Sequence, residues 1–169
     1  MHPAEPLIVN FHDAEEEVDF RGPHQGSATR WLTPTRDGQR PRLGVRANRV
    51  PPGRTACPFH AHAREDEVFY VLAGRGLFRY GDSVQEIQAG DCISCPAGTG
   101  IAHQLANPFG EDLLYLSIGP HDLDEVCVYP DSGKVMVRSL ATVGRLQATD
   151  YFDGEPERPL ILDRRPSTD

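Results

Sequence analysis

His60-Ala61-His62-Ala63-Arg64-Glu65-Asp66-Glu67-Val68-Phe69-Tyr70-Val71-Leu72-Ala73 is the stretch whose reading decides the fold. In an extended strand, side chains at i and i+2 share a face, so His60 and His62 can hold one ion together. Four residues separate His62 from Glu67, enough to turn a corner into the next strand. If Glu67 faces the same ion, then Phe69, Val71 and Ala73 face that way too. Val68, Tyr70 and Leu72 are left on an outer face that is too apolar for water. Another sheet or a second subunit is expected to cover it, which points to a homodimer. A third imidazole, His103, follows Glu67 by 36 residues, just after Gly98-Thr99-Gly100.

The surrounding sequence has the same texture. Short β-type runs cover residues 43–50, 67–73, 76–80, 83–88, 91–95, 113–118, 126–129 and 134–137. Between them lie turn signals such as Pro51-Pro52-Gly53, Gly74-Arg75-Gly76, Gly81-Asp82, Pro96-Ala97-Gly98 and Asp131-Ser132-Gly133. Short strands at this spacing predict an all-β sandwich or barrel. Residues 1–40 read as an N-terminal extension rich in charge and breakers, in which Leu7-Ile8-Val9 is placed to add a strand. Residues 41–139 read as the barrel. Residues 140–169 read as a tail, with a short helix around Leu140 to Leu146 or an arm on a neighbouring subunit.

Composition narrows the partners. The chain has 169 residues, 38% hydrophobic and 25% charged, which suits one globular domain with extensions. Its 17 basic and 25 acidic residues give a net charge of -8, which repels a phosphate backbone, so nucleic acid is not an expected partner. Apolar runs are too short for a membrane span. The opening Met1-His2-Pro3-Ala4-Glu5 lacks the features of a signal peptide, and a cytoplasmic location is the expectation. Cys57, Cys92, Cys95 and Cys127 are then expected to be thiols. Cys92-Ile93-Ser94-Cys95 has CxxC spacing but lies in a strand-like stretch, where residues three apart point to opposite faces. We read it as two packed thiols.

Neutral imidazole nitrogen and carboxylate oxygen bind zinc, iron, manganese, nickel or copper at ~2.0–2.2 Å, and an N-rich set disfavours magnesium and calcium. Four protein ligands on an ion that takes five or six leave room for water, dioxygen or a substrate oxygen.

With these residues together, Gly53-x6-His60-x-His62-x4-Glu67-x6-Gly74 resembles the first motif of the cupin superfamily. Gly90-x5-Pro96-x-Gly98-x4-His103-x3-Asn107 resembles the second. One extra residue precedes His60 and two lie between Gly98 and His103; all fall in loops. The segments around Pro96 to His103 and Tyr129 to Lys134 are similar to those of small, single-domain bacterial cupins. The resemblance implies a double-stranded β-helix, the RmlC-like jelly roll, with His60, His62, Glu67 and His103 as ligands of one divalent transition metal, zinc, iron, manganese or nickel. It also implies a small-molecule ligand or substrate in the barrel, and dioxygenase, isomerase, decarboxylase or lyase chemistry. Glu67 is then both ligand and candidate base. The other reading is a non-catalytic sensor or carrier.

Neighbouring residues are read more plainly. Cys57 lies at odd spacing from His60 and is taken as a structural thiol. Arg64, Glu65 and Asp66 read as a solvated loop. Tyr129 to Lys134 reads as a hairpin turn closed by Gly133. His2, His12, His24 and His121 read as surface residues, and Gln104 and Asn107 as hydrogen-bond donors near the metal.

Overall fold

A computed structural model describes residues 8–36 and 38–164. The alternation and turn signals resolve into an all-β jelly roll, with fourteen strands and three short 3-10 turns among the described residues. The strands are β1 (Glu17–Arg21), β2 (Gln25–Trp31), β3 (Leu43–Val50), β4 (Arg54–Thr55), β5 (Ala61–His62), β6 (Glu67–Ala73) and β7 (Arg75–Tyr80). They continue as β8 (Ser83–Gln88), β9 (Cys92–Cys95), β10 (His103–Asn107), β11 (Leu113–Pro120), β12 (Val126–Tyr129), β13 (Lys134–Val137) and β14 (Thr142–Gly144). No helix among the described residues is long and apolar enough to cross a membrane.

The larger sheet runs β8-β7-β10-β4-β2-β3-β11-β6-β9, with β1 paired to β2. The smaller runs β14-β13-β12-β5. An isolated bridge between His60 and His103 ties the lead into β5 to the start of β10. That bridge joins the two sheets at the future site.

Period-two alternation determines what is buried. Along β11, Leu113, Tyr115 and Ser117 are buried while Leu114, Leu116 and Ile118 are only partly so. On β6, Glu67, Phe69 and Val71 point inward, whereas Tyr70 and Leu72 point outward. Val50, Phe69, Val71, Phe78, Leu105, Leu113 and Tyr115 form the core beneath the site. Gly74 ends β6 because the chain turns there at φ +79°, where a Cβ would lie 2.2 Å from the Asp112 carbonyl oxygen.

Several expectations need correction. The extension supplies the β1–β2 hairpin, and β2 lies inside the main sheet between β4 and β3. Gly22-Pro23 forms that hairpin's turn. Of Leu7-Ile8-Val9, Leu7 falls outside the described residues, and Ile8 and Val9 lie in no strand. The helix expected around Leu140 to Leu146 is absent: a 3-10 turn, Arg138–Leu140, leads into β14. Val143 in β14 pairs with Met136, so sheet extension takes the place of helix formation. The Tyr129 to Lys134 segment is the expected tight turn, with Gly133 at φ 62°. Of the two thiols read as packed, only Cys95 is buried; Cys92 is exposed, because strand alternation points it outward, and all four cysteines are free.

Candidate metal centre

Four donors converge from three stretches of backbone. His62 ends the two-residue strand β5, held by pairing with Cys127 of β12. Glu67 opens β6 opposite Cys95, and His103 opens β10 opposite Tyr80. His60 stands just before β5 and exchanges backbone hydrogen bonds with His103 in both directions. Ala61, between the two histidines, packs the other way against Phe59 and Ala102. The shared face expected of His60 and His62 follows from that alternation.

His60 Nε2 lies 3.1 Å from His62 Nε2, and Glu67 Oε2 lies 3.1 Å from His103 Nε2. Glu67 Oε2 is 3.4 Å from His62 Nε2 and 4.0 Å from His60 Nε2. Donors that each sit ~2.0–2.2 Å from one ion are separated by roughly these spans. All four ligand atoms lie within 4.8 Å of one another, a grouping that could hold a metal ion. Two lone-pair nitrogens 3.1 Å apart have no favourable contact with each other unless a proton or a cation lies between them.

The surroundings orient these donors. His60 Nδ1–H donates to the Pro58 carbonyl at 2.8 Å, which leaves the Nε2 lone pair facing the cluster. Burial, with His103 and His62 close by, lowers the His60 pKa to about 4 and keeps the ring neutral. Burial also opposes a charge on His62, but hydrogen bonds with Cys127 and Glu67 outweigh it and raise its pKa to about 10. For Glu67, burial favours the neutral acid. Hydrogen bonds from His103, His62 and Ser117 reverse this and hold the carboxyl well below its ordinary range. Ser117 Oγ donates to Glu67 Oε1 at 2.6 Å, and Arg46 Nη2 approaches the same oxygen at 3.4 Å.

Behind His62 lies a carboxylate that sequence reasoning missed. Glu125 is fully buried and accepts the Ala63 and Arg64 backbone N–H groups at 2.9 and 3.0 Å. Its Oε1 is 3.4 Å from His62 Nδ1. Cys127 Sγ also lies 3.4 Å from that nitrogen. Nothing in Asp122-Leu123-Asp124-Glu125 singles out one acid among three; only the β5–β12 pairing brings Glu125 to the histidine.

Glu65 also departs from the solvated-loop reading. It is buried, pairs with Arg138 through both carboxylate oxygens, and accepts the Asp122 N–H at 2.6 Å. His121 lines the cavity beside the cluster rather than lying on open surface, and meets Arg40 Nη1 at 3.4 Å. Asn107 spends its amide on the Val50 and Glu111 carbonyls and takes no part in the site. Gln104 donates to the Cys57 carbonyl. Cys57 sits in a bend, so strand alternation does not apply to it; its Sγ is 3.7 Å from His60 Nδ1, the nitrogen facing away from the cluster. Burial and nearby Glu67 push its thiol up to about 12, unlike the thiolate a metal requires. His12 and His24 are exposed, and His2 falls outside the described residues.

A cavity of about 150 Å³ opens beside the four donors, lined among others by Trp31, Arg40, Arg46, Asp66 and Gly119. Gly119 keeps it open at the end of β11, where a Cβ would meet the Asp66 carbonyl oxygen at 2.9 Å. This arrangement, a jelly roll with three histidines and one glutamate at its mouth, is accompanied by a sequence match. The cupin domain model matches residues 48–119, which include all four donors.

The chain carries a cupin domain.

A curated relative, the oxalate-binding protein of Thermotoga maritima, is 33% identical over 70 residues, 41% of this chain. The match spans only about half of that relative's length, 55%. Among solved structures, a cupin-superfamily sugar phosphate isomerase from Silicibacter pomeroyi superposes with a TM-score of 0.71 at 23% identity. It covers 90% of this chain and 97% of its own. The polyketide cyclase RemF from Streptomyces resistomycificus gives 0.58 at 24% identity, covering 70% of this chain and 81% of its own. At these identities the two structures establish the shared cupin fold and nothing about the reaction.

Proposed function

We propose that this cupin is a metal-dependent enzyme that acts on a small organic molecule in the cavity beside His60, His62, Glu67 and His103. The observation that carries the reading is the convergence of four oriented, buried donors on one point at the edge of that cavity. Zinc, iron, manganese and nickel all suit this donor set. A bound divalent ion would polarise a substrate oxygen, or engage dioxygen if it is redox-active. The chain's residues do the rest. His60 and His62 are fixed by the Pro58 carbonyl and by Glu125, and Ser117 and Arg46 orient Glu67.

Glu67 serves first as a ligand. To act as a base it must exchange its bonds with Ser117 and the histidines, because they hold its affinity for a proton low. The relatives' names cover oxalate binding, sugar phosphate isomerisation and polyketide cyclisation, so they do not choose the reaction. Four free thiols suit a reducing, cytoplasmic setting.

Two measurements test this reading. The protein purified without added metal is analysed for its native ion, then screened against small organic acids and sugars, with oxygen uptake followed. Metal-dependent turnover lost in Glu67→Gln supports the enzyme. An ion with saturable ligand binding and no turnover would instead establish a sensor or carrier.

We also propose that two chains pair through the outer face of β6 and β11. Tyr70 and Leu72 are each 40% exposed there. Leu116 and Ile118 lie beside them in register, opposite Tyr70 and Val68.

A further inference from the structure

We propose that the organic ligand of this centre is a small dianion, one acidic group directed at the ion and the other at Arg46 and Arg40 beside Trp31. The inference rests on the metal reading above and adds the chemical class of the ligand. Its starting point is a local charge that contradicts the chain's net charge of -8. Three arginines line the cavity, Arg40, Arg46 and Arg138, along with Glu65, Asp66 and Glu67. Arg138 is matched by Glu65. Two guanidiniums and a divalent ion then face two carboxylates, which leaves the cavity positive by two charges.

The two guanidiniums are set for a ligand rather than for each other. Both lie within cation–π range of the Trp31 ring, Arg40 at 5.3 Å and Arg46 at 5.7 Å from its centroid. The indole steadies two like charges that would otherwise repel. Among the described residues Arg40 has no carboxylate partner, and its one side-chain hydrogen bond goes to His121 Nε2 at 3.4 Å. The polar contacts of Arg46, to Ser117 Oγ and Glu67 Oε1, are also long at 3.4 Å. The one carboxylate near Arg46 is a proposed metal ligand, whose charge the ion would take up. A guanidinium so placed is free to bind a planar carboxylate or a phosphate, two groups it recognises in the same forked geometry. The cavity, at about 150 Å³, lies below the ~300–1,000 Å³ of drug-sized pockets, so the dianion must be small.

The test is calorimetric titration of the full-length, metal-loaded chain, with metal content measured before and after. The probes are malonate, its half-amide malonamate, the neutral malonamide, and phosphoglycolate. Malonate is expected to bind about tenfold more tightly than malonamate, and malonamide not measurably, since a charge-assisted hydrogen bond contributes roughly that factor. Arg40→Gln, at a side chain that touches none of the proposed metal ligands, should abolish the preference for malonate over malonamate while metal content stays unchanged. Arg46→Lys should retain part of it. Phosphoglycolate tighter than malonate would identify the second group as a phosphate, and the reverse order a carboxylate.

Equal binding of malonate and malonamate, or an unchanged preference in Arg40→Gln, overturns the proposal. A chain that holds the ion but shows no preference keeps the metal reading and loses the clamp. One that takes up no ion yet prefers malonate through Arg40 keeps the arginine clamp and loses the metal.

Discussion

At the scale of single residues, the site depends on side chains that fix an imidazole from behind. Glu125 is the strongest case. It is fully buried, anchored by two backbone N–H groups, and its carboxylate faces His62 Nδ1. Such carboxylate–histidine pairs set the tautomer and raise ligand basicity. Glu125→Gln is expected to weaken metal binding about 10–100-fold, as read by competition with a chelator. An amide NH2 would also face the Ala63 or Arg64 donor, so a loss of about 1–3 kcal/mol in stability should accompany it. Unchanged chelator competition would reduce Glu125 to a loop anchor. The proposed metal ligands were legible in the sequence because their spacing is a two-part pattern with glycines and Pro96 in place. Glu125, Glu65 and the two arginines on Trp31 were not. Each matters through a partner distant in sequence or across a turn, such as Glu65 with Arg138 or Arg40 and Arg46 with Trp31, and no local spacing encodes such pairs.

At the scale of elements, a carboxylate helps strap the N-terminal segment to the outside of the barrel. Glu16 accepts hydrogen bonds from Arg49 Nε at 3.0 Å and Nη2 at 2.7 Å, and Arg30 approaches from β2. The hydrogen bond with Arg49, ahead of the opposing cost of burial, lowers the Glu16 pKa below its usual 4.5. A carboxylate with a lowered folded pKa contributes stability above its unfolded pKa, and that contribution is lost as pH falls through the folded value. Glu16→Gln should therefore cost about 0.5–1 kcal/mol at pH 7 in urea unfolding, and the difference from wild type should shrink as the pH is lowered past the usual carboxylate range. An equal cost at both pH values would point to packing rather than charge.

Element legibility followed hydrophobic alternation. β3, β6 to β9 and β11 to β13 stood out as apolar runs between turns. β10 did not, because two of its inward residues, His103 and Asn107, are polar. β5 has only two residues. β1 and β2 carry charged and small residues that read as an extension, and pairing to β3 and β4 makes β2 part of the sheet. The alternation along β6 holds from Glu67 to Val71, but Ala73, expected on the inward face, is exposed, past an irregularity in the pairing with β11 at Leu114/Tyr115.

At the scale of the whole molecule, the jelly roll leaves a strip of side chains without a partner among the described residues. Residues around Glu16 cover the β2–β3 side of the outer face, through Ala14 against Arg30 and Glu16 against Arg49. Tyr70 and Leu72 on the β6 side stay exposed. The proposed pairing predicts a two-chain mass at micromolar concentration in sedimentation, and a one-chain mass for Tyr70→Glu with metal content intact. A single-chain mass for the wild type would leave the strip unpaired and remove the dimer. The central claim is the metal centre itself, and metal content per chain tests it most directly. Wild type, His60→Ala and His103→Ala are each offered zinc, iron, manganese and nickel, desalted and analysed, with folding checked by circular dichroism. The account predicts about one ion per wild-type chain and a sharp loss in both folded variants. Full occupancy in the variants, or no ion in the wild type, would contradict it.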